Sequence, residues 1–333
     1  MAATGLRMPA EAETHERTLV AWPCREESWR GIGMDAARDC HARVVDAISQ
    51  FEPVTLVTNL GDSDEARRAC PEADVEVLEL PIDDSWLRDN GPIIVKDESG
   101  IRVGVDFRFN SWGEKFLPYD KDAAVARLIL EHLGIERIES ELVLEGGSIA
   151  VDGNGIIVTT EQCNLNPNRN PQPSRAVVDA AFDELLGAGE AIWLERGLAE
   201  DADTDGHVDN ICAFYGPRKA LLQAAPAGDP NQGPMAHNRA ILEESGVEVT
   251  PIDMLPRTKR PETDEDIVIP YTNFYVCNGA VIVPISEIDP DMDQEALGLI
   301  SGLYPGREVV GVEAVTLALG GGGIHCITQQ VPE

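Results

Sequence analysis

The chain has 333 residues, 43% of them hydrophobic, so it is long enough for one large domain or two ordinary ones. Its 59 acidic and 26 basic side chains give a net charge of −33, which disfavours nucleic acid or anionic membranes as partners and favours a cationic ligand. An acidic proteome, as in a salt-adapted organism, would give the same balance. We find no apolar run of about 18 residues and no signal peptide pattern, so we expect a cytoplasmic protein.

Short apolar runs that are typical of strands alternate with segments of helical periodicity. The predicted strands are 18–23, 54–58, 75–80, 93–95, 101–107, one near Leu142, 149–151, 156–160, 191–194, 208–214, 219–224, 247–252, 274–277, 280–284 and 308–312. The predicted helices are 37–48, 62–70, 122–133, 174–186 with Ser174 as its cap, 237–245 and 293–303. The polar stretch 256–270 is predicted to be a surface loop.

A unit of strand, strand, helix and strand recurs five times, at intervals of about 60 residues, which indicates radially arranged modules. Asp-Gly and Asn-Gly dipeptides between apolar runs predict hairpins at 152–155 and 278–279. No proline- or serine-rich linker separates the repeats, so we expect residues 1–333 to form a single α/β domain.

The C-terminal stretch combines four glycines, Gly320 to Gly323, with a cysteine in a β-like run. Glycines allow positive φ and close approach of another group. Cys326 on such a loop is a candidate nucleophile. The alternative is a glycine turn that leads into a buried strand, with Cys326 as a small hydrophobic residue.

Three further loops at strand ends carry Asp89, Glu145, and the pair His207 and Asp209. If residues 207–209 are extended, the imidazole and the carboxylate point to the same face. Together with a cysteine from elsewhere, these groups suit thiol chemistry on a cationic carbon. The alternatives are a surface ion pair of Asp89 with Arg88, a turn role for Glu145, and a structural role for His207.

No metal or other cofactor is expected. Seven scattered cysteines without a CxxC pair indicate reduced thiols and argue against disulfides or a structural zinc site, and we expect all except Cys326 to be structural. A metal site would require His207, Asp209 and a further histidine, and no HExxH motif supports it. His325 should point to the opposite face of the strand from Cys326.

Six segments together resemble the agmatine deiminases of the guanidine-modifying (pentein) superfamily and, more distantly, the bacterial peptidylarginine deiminases. The matching segments, which span nearly the whole chain in order, are 22–23, 84–92, 144–148, 165–171, 204–210 and 325–330. The resemblance implies a five-bladed α/β propeller of ββαβ-type repeats and hydrolysis of agmatine, a small cationic guanidine, to N-carbamoylputrescine and ammonia without a cofactor.

By position, the resemblance implies Cys326 as the nucleophile, His207 as the general acid/base and Glu145 as the group that orients it. Asp89 and Asp209 correspond to the carboxylates that bind the guanidinium, which stays protonated and presents planar donors to them. Trp86 corresponds to an aromatic residue that flanks the substrate.

Three positions depart from the family pattern. Gly323 stands where asparagine is usual, Ala150 where a polar residue is common, and Asp203, near the amine end of the substrate, where glutamate is frequent. Another guanidine as substrate, transfer to an acceptor amine, or a non-catalytic binding protein therefore remain alternatives, and a homo-oligomer is left open.

Overall fold

The computed structural model describes residues 5–29, 31–71, 75–172, 174–261 and 263–333. Its strands are β1 (His15–Ala21), β2 (Val54–Thr58), β3 (Val75–Glu79), β4 (Ile93–Lys96), β5 (Arg102–Arg108), β6 (Glu136–Val143), β7 (Ile149–Val151), β8 (Ile156–Thr160), β9 (Glu190–Leu194), β10 (Cys212–Gly216), β11 (Lys219–Gln223), β12 (Glu248–Ile252), β13 (Arg257–Lys259), β14 (Asp266–Val268), β15 (Tyr275–Cys277), β16 (Ala280–Ile285), β17 (Glu308–Glu313) and β18 (Thr328–Pro332).

The helices, several of them a single turn, are α1 (Met34–Ser49), α2 (Ser63–Ala69), α3 (Leu87–Asn90), α4 (Ser111–Glu114), α5 (Asp122–Leu133), α6 (Glu161–Asn164), α7 (Arg175–Leu186), α8 (Gln232–Glu244), α9 (Pro290–Leu303) and α10 (Val315–Gly320). Among the described residues, three short 3₁₀ turns occupy Glu26–Trp29, Gly146–Ser148 and Val208–Asn210. In the part of the chain that is described, no helix is long and apolar enough to cross a membrane.

Most predicted elements are confirmed within a few residues, but four expectations were wrong in detail. The predicted strand 208–214 begins only at Cys212, after the turn Val208–Asn210. The predicted loop 256–270 contains the antiparallel pair β13–β14, in which Ile267 is buried opposite Thr258. Helix α8 begins five residues earlier than predicted, at Gln232. Ser174 precedes α7 as predicted, but its side chain accepts no capping hydrogen bond.

The predicted repeat is visible in the sheets of the described residues. In four three-stranded sheets the first two strands are antiparallel and the third is parallel to the second: β4-β5-β6, β7-β8-β9, β10-β11-β12 and β15-β16-β17. The parallel connection needs a crossover, and α5, α7, α8 and α9 supply it. A fifth sheet has the order β18-β1-β2-β3, with parallel pairs β1–β2 and β2–β3. The α/β class is confirmed.

The chain divides into two compact units. The first unit comprises residues 5–13, 89–253 and 332, and contains the sheets β4-β5-β6, β7-β8-β9 and β10-β11-β12. Its core packs strand residues such as Val105 and Trp193 against Phe182 of α7. The second unit comprises residues 14–88, 254–331 and 333. There α1 buries Cys40, Val44 and Ile48, the residues whose spacing predicted this helix. The single domain 1–333, whose residues 1–4, 30, 72–74, 173 and 262 lie outside the described residues, stays a prediction.

In the second unit, Asp293 lies in the first turn of α9 and is buried. Its carboxylate accepts hydrogen bonds from the Tyr271 hydroxyl (2.6 Å), the Ser286 amide (3.0 Å) and the Glu287 amide (2.8 Å). This carboxylate therefore holds the end of β16 and the segment before β15 against the helix.

We expect Asp293→Ala to lower the free energy of unfolding by about 2–4 kcal/mol, because buried donors without an acceptor cost about 1–3 kcal/mol each. Urea unfolding followed by circular dichroism measures this change. Asp291→Ala removes an exposed carboxylate from the same helix turn and should cost less than about 1 kcal/mol. Equal losses in the two variants would contradict the role given to the buried network.

Candidate active site

Four of the predicted site residues come together in the first unit. Asp89 lies in α3, Glu145 precedes the turn Gly146–Ser148, and His207 and Asp209 lie at the turn Val208–Asn210; all four are buried. A Cβ atom on Gly147 would lie 2.6 Å from His207 Nδ1, 2.8 Å from Asp89 Oδ1 and 2.9 Å from Asp209 Oδ2. The three polar groups therefore converge over the backbone of Gly147, where no side chain would fit.

The segment that carries His207 is not extended as assumed from the sequence. His207 is the residue before a 3₁₀ turn, and Asp209 lies within that turn. Both nevertheless face Gly147, because the turn changes the direction of the chain between them. Asp201, which sequence reasoning missed, fixes the loop: its carboxylate accepts from the His207 amide (3.0 Å) and from Asn210 Nδ2 (3.2 Å).

Glu145 is fully buried and contacts three different partners. Arg169 Nε donates to Glu145 Oε1 at 2.7 Å, whereas Oε2 lies 3.4 Å from His207 Nε2 and 3.7 Å from Cys163 Sγ. Arg169 also donates to Asp205 (2.5 Å) and so ties the segment 165–171 to the histidine loop. The sequence drew attention to this segment through the resemblance, but it gave no role to Arg169 and assigned Cys163 only a structural one.

Asp89 is held by two donors. The Gly147 amide donates to Oδ1 and Trp112 Nε1 donates to Oδ2, both at 2.9 Å. Trp112 lies in a turn of four consecutive residues with positive φ, 111–114, of which only Gly113 is a glycine. Such backbone costs about 1–2 kcal/mol for each non-glycine residue. No sequence pattern pointed to Trp112, because its indole reaches Asp89 only through the unusual backbone of this turn.

Burial and mutual charge shift the ionisation of these groups. Burial raises the pKa of Asp89, and the carboxylates of Asp209 and Glu145 raise it further against the opposing effect of His207. Burial also acts to raise the pKa of Glu145, but Arg169 and His207 outweigh it and leave that pKa lowered. For His207, burial acts to lower the pKa, but Asp89, Cys163 and Glu145 raise it well above its usual value. The carboxylates of the cluster therefore favour the protonated form of His207 and the binding of a cation.

The second unit contains Cys326, which is 5% exposed. It lies in a turn before β18, so the prediction of a β-like run at Cys326 was wrong. Its Sγ lies 3.4 Å from Asn273 Nδ2, and its carbonyl accepts from the Arg88 amide at 3.1 Å. Asn273 also accepts from the His325 amide through its side chain (3.0 Å). Asn273 had no sequence signal, since it lies far from the glycine tail in the chain.

The four glycines before Cys326 serve two purposes. Gly321 takes a φ of 108°, which ends α10 in the left-handed region. The other three allow close approach instead: a Cβ would lie 2.2 Å from the Trp29 ring at Gly320, 2.5 Å from the Trp86 ring at Gly322 and 2.3 Å from Asn273 Oδ1 at Gly323. Trp86 is buried and stacks on Trp29, with ring centroids 5.8 Å apart. Asparagine, usual in the family at position 323, would require Asn273 to move.

The remaining predicted residue, Asp203, is half-buried in the loop that leads to His207. Lys115 Nζ donates to its backbone carbonyl at 2.9 Å. Asp89, Glu145, His207 and Asp209 thus form one cluster in the first unit, and Cys326, Trp86 and Gly323 belong to the second unit.

Comparison with known proteins relates this chain to a single family over nearly its whole length. The sequence profile of the Porphyromonas-type peptidyl-arginine deiminase family matches residues 7–332. An agmatine deiminase of Pseudomonas aeruginosa (strain LESB58) is 38% identical over 358 residues, covering 99% of this chain and 96% of that protein. The chain therefore belongs to the Porphyromonas-type peptidyl-arginine deiminase family.

Solved structures agree with the sequence comparison. The agmatine deiminase of Enterococcus faecalis is 31% identical, with a TM-score of 0.92 over 99% of this chain and 96% of that one. A cysteine-to-serine variant of the C. jejuni agmatine deiminase, with substrate bound, is 25% identical with a TM-score of 0.90 over 98% of this chain and 96% of that one. The resemblance stated from the sequence is confirmed.

We expect Asp89→Asn to lower the pKa of His207, because the variant removes a negative charge beside the imidazolium. The raised pKa stabilises the fold fully below the unfolded pKa of about 6.5, and this stabilisation is lost as the pH rises through the folded value. In Asp89→Asn that loss should begin at a lower pH. NMR titration of ring-labelled histidine measures the change.

The matched control is Asp183→Asn, which removes the same charge from an exposed position of α7. This variant should leave the titration of His207 unchanged. If Asp89→Asn also left the titration of His207 unchanged, the Asp89 carboxylate, 3.8 Å from the imidazole, would not be the cause of the raised pKa.

Proposed function

We propose that this protein is an agmatine deiminase, a hydrolase that converts agmatine and water into N-carbamoylputrescine and ammonia. The observation that carries the proposal is the convergence of Asp89, Asp209 and His207 over Gly147. Agmatine deiminases that match along the whole chain, in sequence and in structure, support the choice of substrate. The reaction would serve putrescine biosynthesis.

The proposed substrate provides the positive charge that the cluster favours. A guanidinium is planar, stays protonated at any working pH and presents paired N–H donors, so Asp89 and Asp209 can bind it bidentately. The pKa of Asp89 is raised in the free protein. A bound cation would lower it again and fix the carboxylate in its charged form. The glycine at position 147 leaves room for the flat group.

Cys326 is the proposed nucleophile. Its thiolate forms a bond to the central guanidinium carbon and gives a tetrahedral adduct. Asn273 Nδ2, 3.4 Å from the sulfur, is placed to donate to the thiolate. A cysteine-to-serine substitution accompanies bound substrate in the related C. jejuni enzyme, which supports this role.

His207 is the proposed general acid and base. Its raised pKa keeps the imidazolium available, so it can protonate the leaving nitrogen as the carbon–nitrogen bond breaks and ammonia departs. A planar thiouronium bound to Cys326 remains. His207, now neutral, takes a proton from water, and the water oxygen attacks the carbon. The adduct collapses to release the thiolate and N-carbamoylputrescine, while its hydroxyl proton passes to the solvent. Glu145 orients the imidazole, and Arg169 holds Glu145 in turn.

The rest of the substrate is assigned to three further residues. We assign Trp86 to the flank of the substrate, Gly323 to the space beside it and Asp203 to the amine end. The side chain of Asp203 is shorter than the glutamate that is frequent in the family, so its carboxylate extends less far towards the amine of the substrate. Arginine would place a carboxylate in this region, and the acidic loop around Asp203 disfavours it.

The proposal extends to the architecture and the cellular setting. Four sheets with two antiparallel strands and a parallel third, the fifth sheet β18-β1-β2-β3, and the full-length match to the E. faecalis enzyme support a five-bladed propeller formed by one domain. The reaction needs no metal or cofactor, since cysteine, histidine and carboxylates supply each step. A thiol nucleophile must stay reduced, which favours the cytoplasm.

The purified protein is expected to release ammonia and N-carbamoylputrescine from agmatine in equal amounts. In Cys326→Ala the rate should fall by about 10⁴-fold or more, because the covalent route is lost. Arginine, tested in parallel, should react far more slowly. Turnover of arginine without turnover of agmatine would show that the substrate is assigned wrongly, and no turnover of any guanidine would favour a binding protein.

Gly147→Ala should lower kcat/KM for agmatine by about 100-fold or more, because the added methyl group displaces the reacting groups. The control Gly298→Ala adds a methyl group to α9, where nothing lies within 4 Å of the new atom, and should leave the rate unchanged. Steady-state kinetics with circular dichroism of both variants measures the effect. A folded Gly147→Ala variant with the normal rate would sink the proposed arrangement.

A further inference from the structure

A second thiol lies beside the proposed acid/base. Cys163 is fully buried in the first unit, and its Sγ is 3.7 Å from Glu145 Oε2. The proposed reaction uses Cys326 and leaves Cys163 without a chemical role. Among the described residues, Glu145, Cys163 and His207 form a group whose ligand atoms all lie within 4.8 Å of one another.

We propose that Glu145, Cys163 and His207 form a binding site for Zn²⁺, which inhibits the protein by occupying the acid/base histidine. The site is inhibitory and is not a cofactor site, because a metal on Nε2 displaces a proton of the imidazolium and ties the ring to Glu145 and Cys163, while Nδ1 faces the cluster over Gly147. Binding replaces the thiol proton of Cys163 and a proton on His207 Nε2, which pass to the solvent.

The distances suit the metal. Zinc bonds of about 2.0–2.3 Å in a tetrahedral arrangement place the ligand atoms about 3.3–3.8 Å apart. Glu145 Oε2 lies 3.4 Å from His207 Nε2 and 3.7 Å from Cys163 Sγ, so two of the three separations already have this value. The third separation, from Cys163 Sγ to a His207 ring nitrogen, is at most 4.8 Å and needs a shift of no more than about 1 Å. A sulfur, a nitrogen and an oxygen ligand also match the preference of zinc.

The groups behind the ligands are those that a zinc site requires. A histidine that binds zinc usually donates its other ring N–H to a carboxylate. Asp89 Oδ1 lies 3.8 Å from His207 Nδ1, so a shift of about 1 Å would form this hydrogen bond. The second oxygen of Glu145 is fixed by Arg169 at 2.7 Å. Arg169 adds one positive charge and shares Asp205 with Lys115, but the three carboxylates of Asp89, Glu145 and Asp209 outnumber it and still favour a dication.

The test measures Zn²⁺ binding to Cys326→Ala by isothermal titration calorimetry after removal of metals with a chelator. This background excludes capture by the proposed nucleophile. We expect one Zn²⁺ per chain, and a loss of affinity of at least about 100-fold when Cys163→Ser is added. Adding Cys212→Ala instead, a buried cysteine elsewhere in the first unit, should leave the affinity unchanged.

A spectroscopic measurement keeps the test decisive if Cys163→Ser does not fold. Co²⁺ added to Cys326→Ala should give the thiolate-to-metal absorption of a sulfur ligand. Three results would each overturn the proposal. They are no binding of Zn²⁺ when the metal is in molar excess over the protein, equal zinc affinity with and without Cys163, and a cobalt spectrum without thiolate absorption.

The inhibitory part rests on the proposed function: Zn²⁺ should inhibit agmatine turnover in the wild-type protein, and a chelator should restore it. The binding measurements need no turnover of agmatine, so their result is independent of the proposed function. If zinc binds but agmatine is not a substrate, only the proposed function fails. If agmatine is turned over and zinc does not bind, only the metal site fails.

Discussion

The structure depends on one electrostatic constraint, the concentration of negative charge around Gly147. Asp89, Glu145 and Asp209 are buried close together, although burying a carboxylate is costly unless it is paired. His207 and Arg169 compensate part of this charge. The remainder is best balanced by a cation from outside. Mutual repulsion of these carboxylates lowers the stability of the protein without a ligand. This is expected of a binding site for a cation, because the same repulsion is relieved when the cation binds.

The surrounding architecture holds these charges in place. Each carboxylate comes from a turn next to a strand end, so its backbone is fixed by a sheet on one side. Trp112 reaches Asp89 only because its turn adopts left-handed backbone, and Arg169 links Glu145 to the loop of His207. In the second unit, Asn273 and Arg88 hold the turn of Cys326. The chemistry needs positions fixed within a fraction of an ångström, which buried hydrogen bonds provide better than mobile surface loops. Zinc at Cys163 would exploit the same fixed geometry.

Much of this could be predicted from the chain alone. Short apolar runs located β2, β8 and β16, helical spacing located α1 and α5, and Asp-Gly and Asn-Gly turns located two hairpins. These signals are local, so they do not depend on the final packing. The predictions failed where the outcome depended on contacts distant in sequence. The pair β13–β14 buries Ile267 within a polar segment, and the residues 207–209 turn instead of extending.

The sequence by itself indicated the kind of chemistry that we propose, through a cysteine behind four glycines, a histidine and an aspartate two residues apart, and an acidic chain suited to a cation. Side-chain type and short spacing are written directly in the residues, and motif order made the family recognisable. Only the tertiary structure decided which groups touch. It brought Cys163, Arg169 and Trp112 to the carboxylates and Asn273 to Cys326, and it gave three of the four glycines a reason in packing rather than in φ. Such contacts join residues tens to hundreds of positions apart, and no local pattern encodes them.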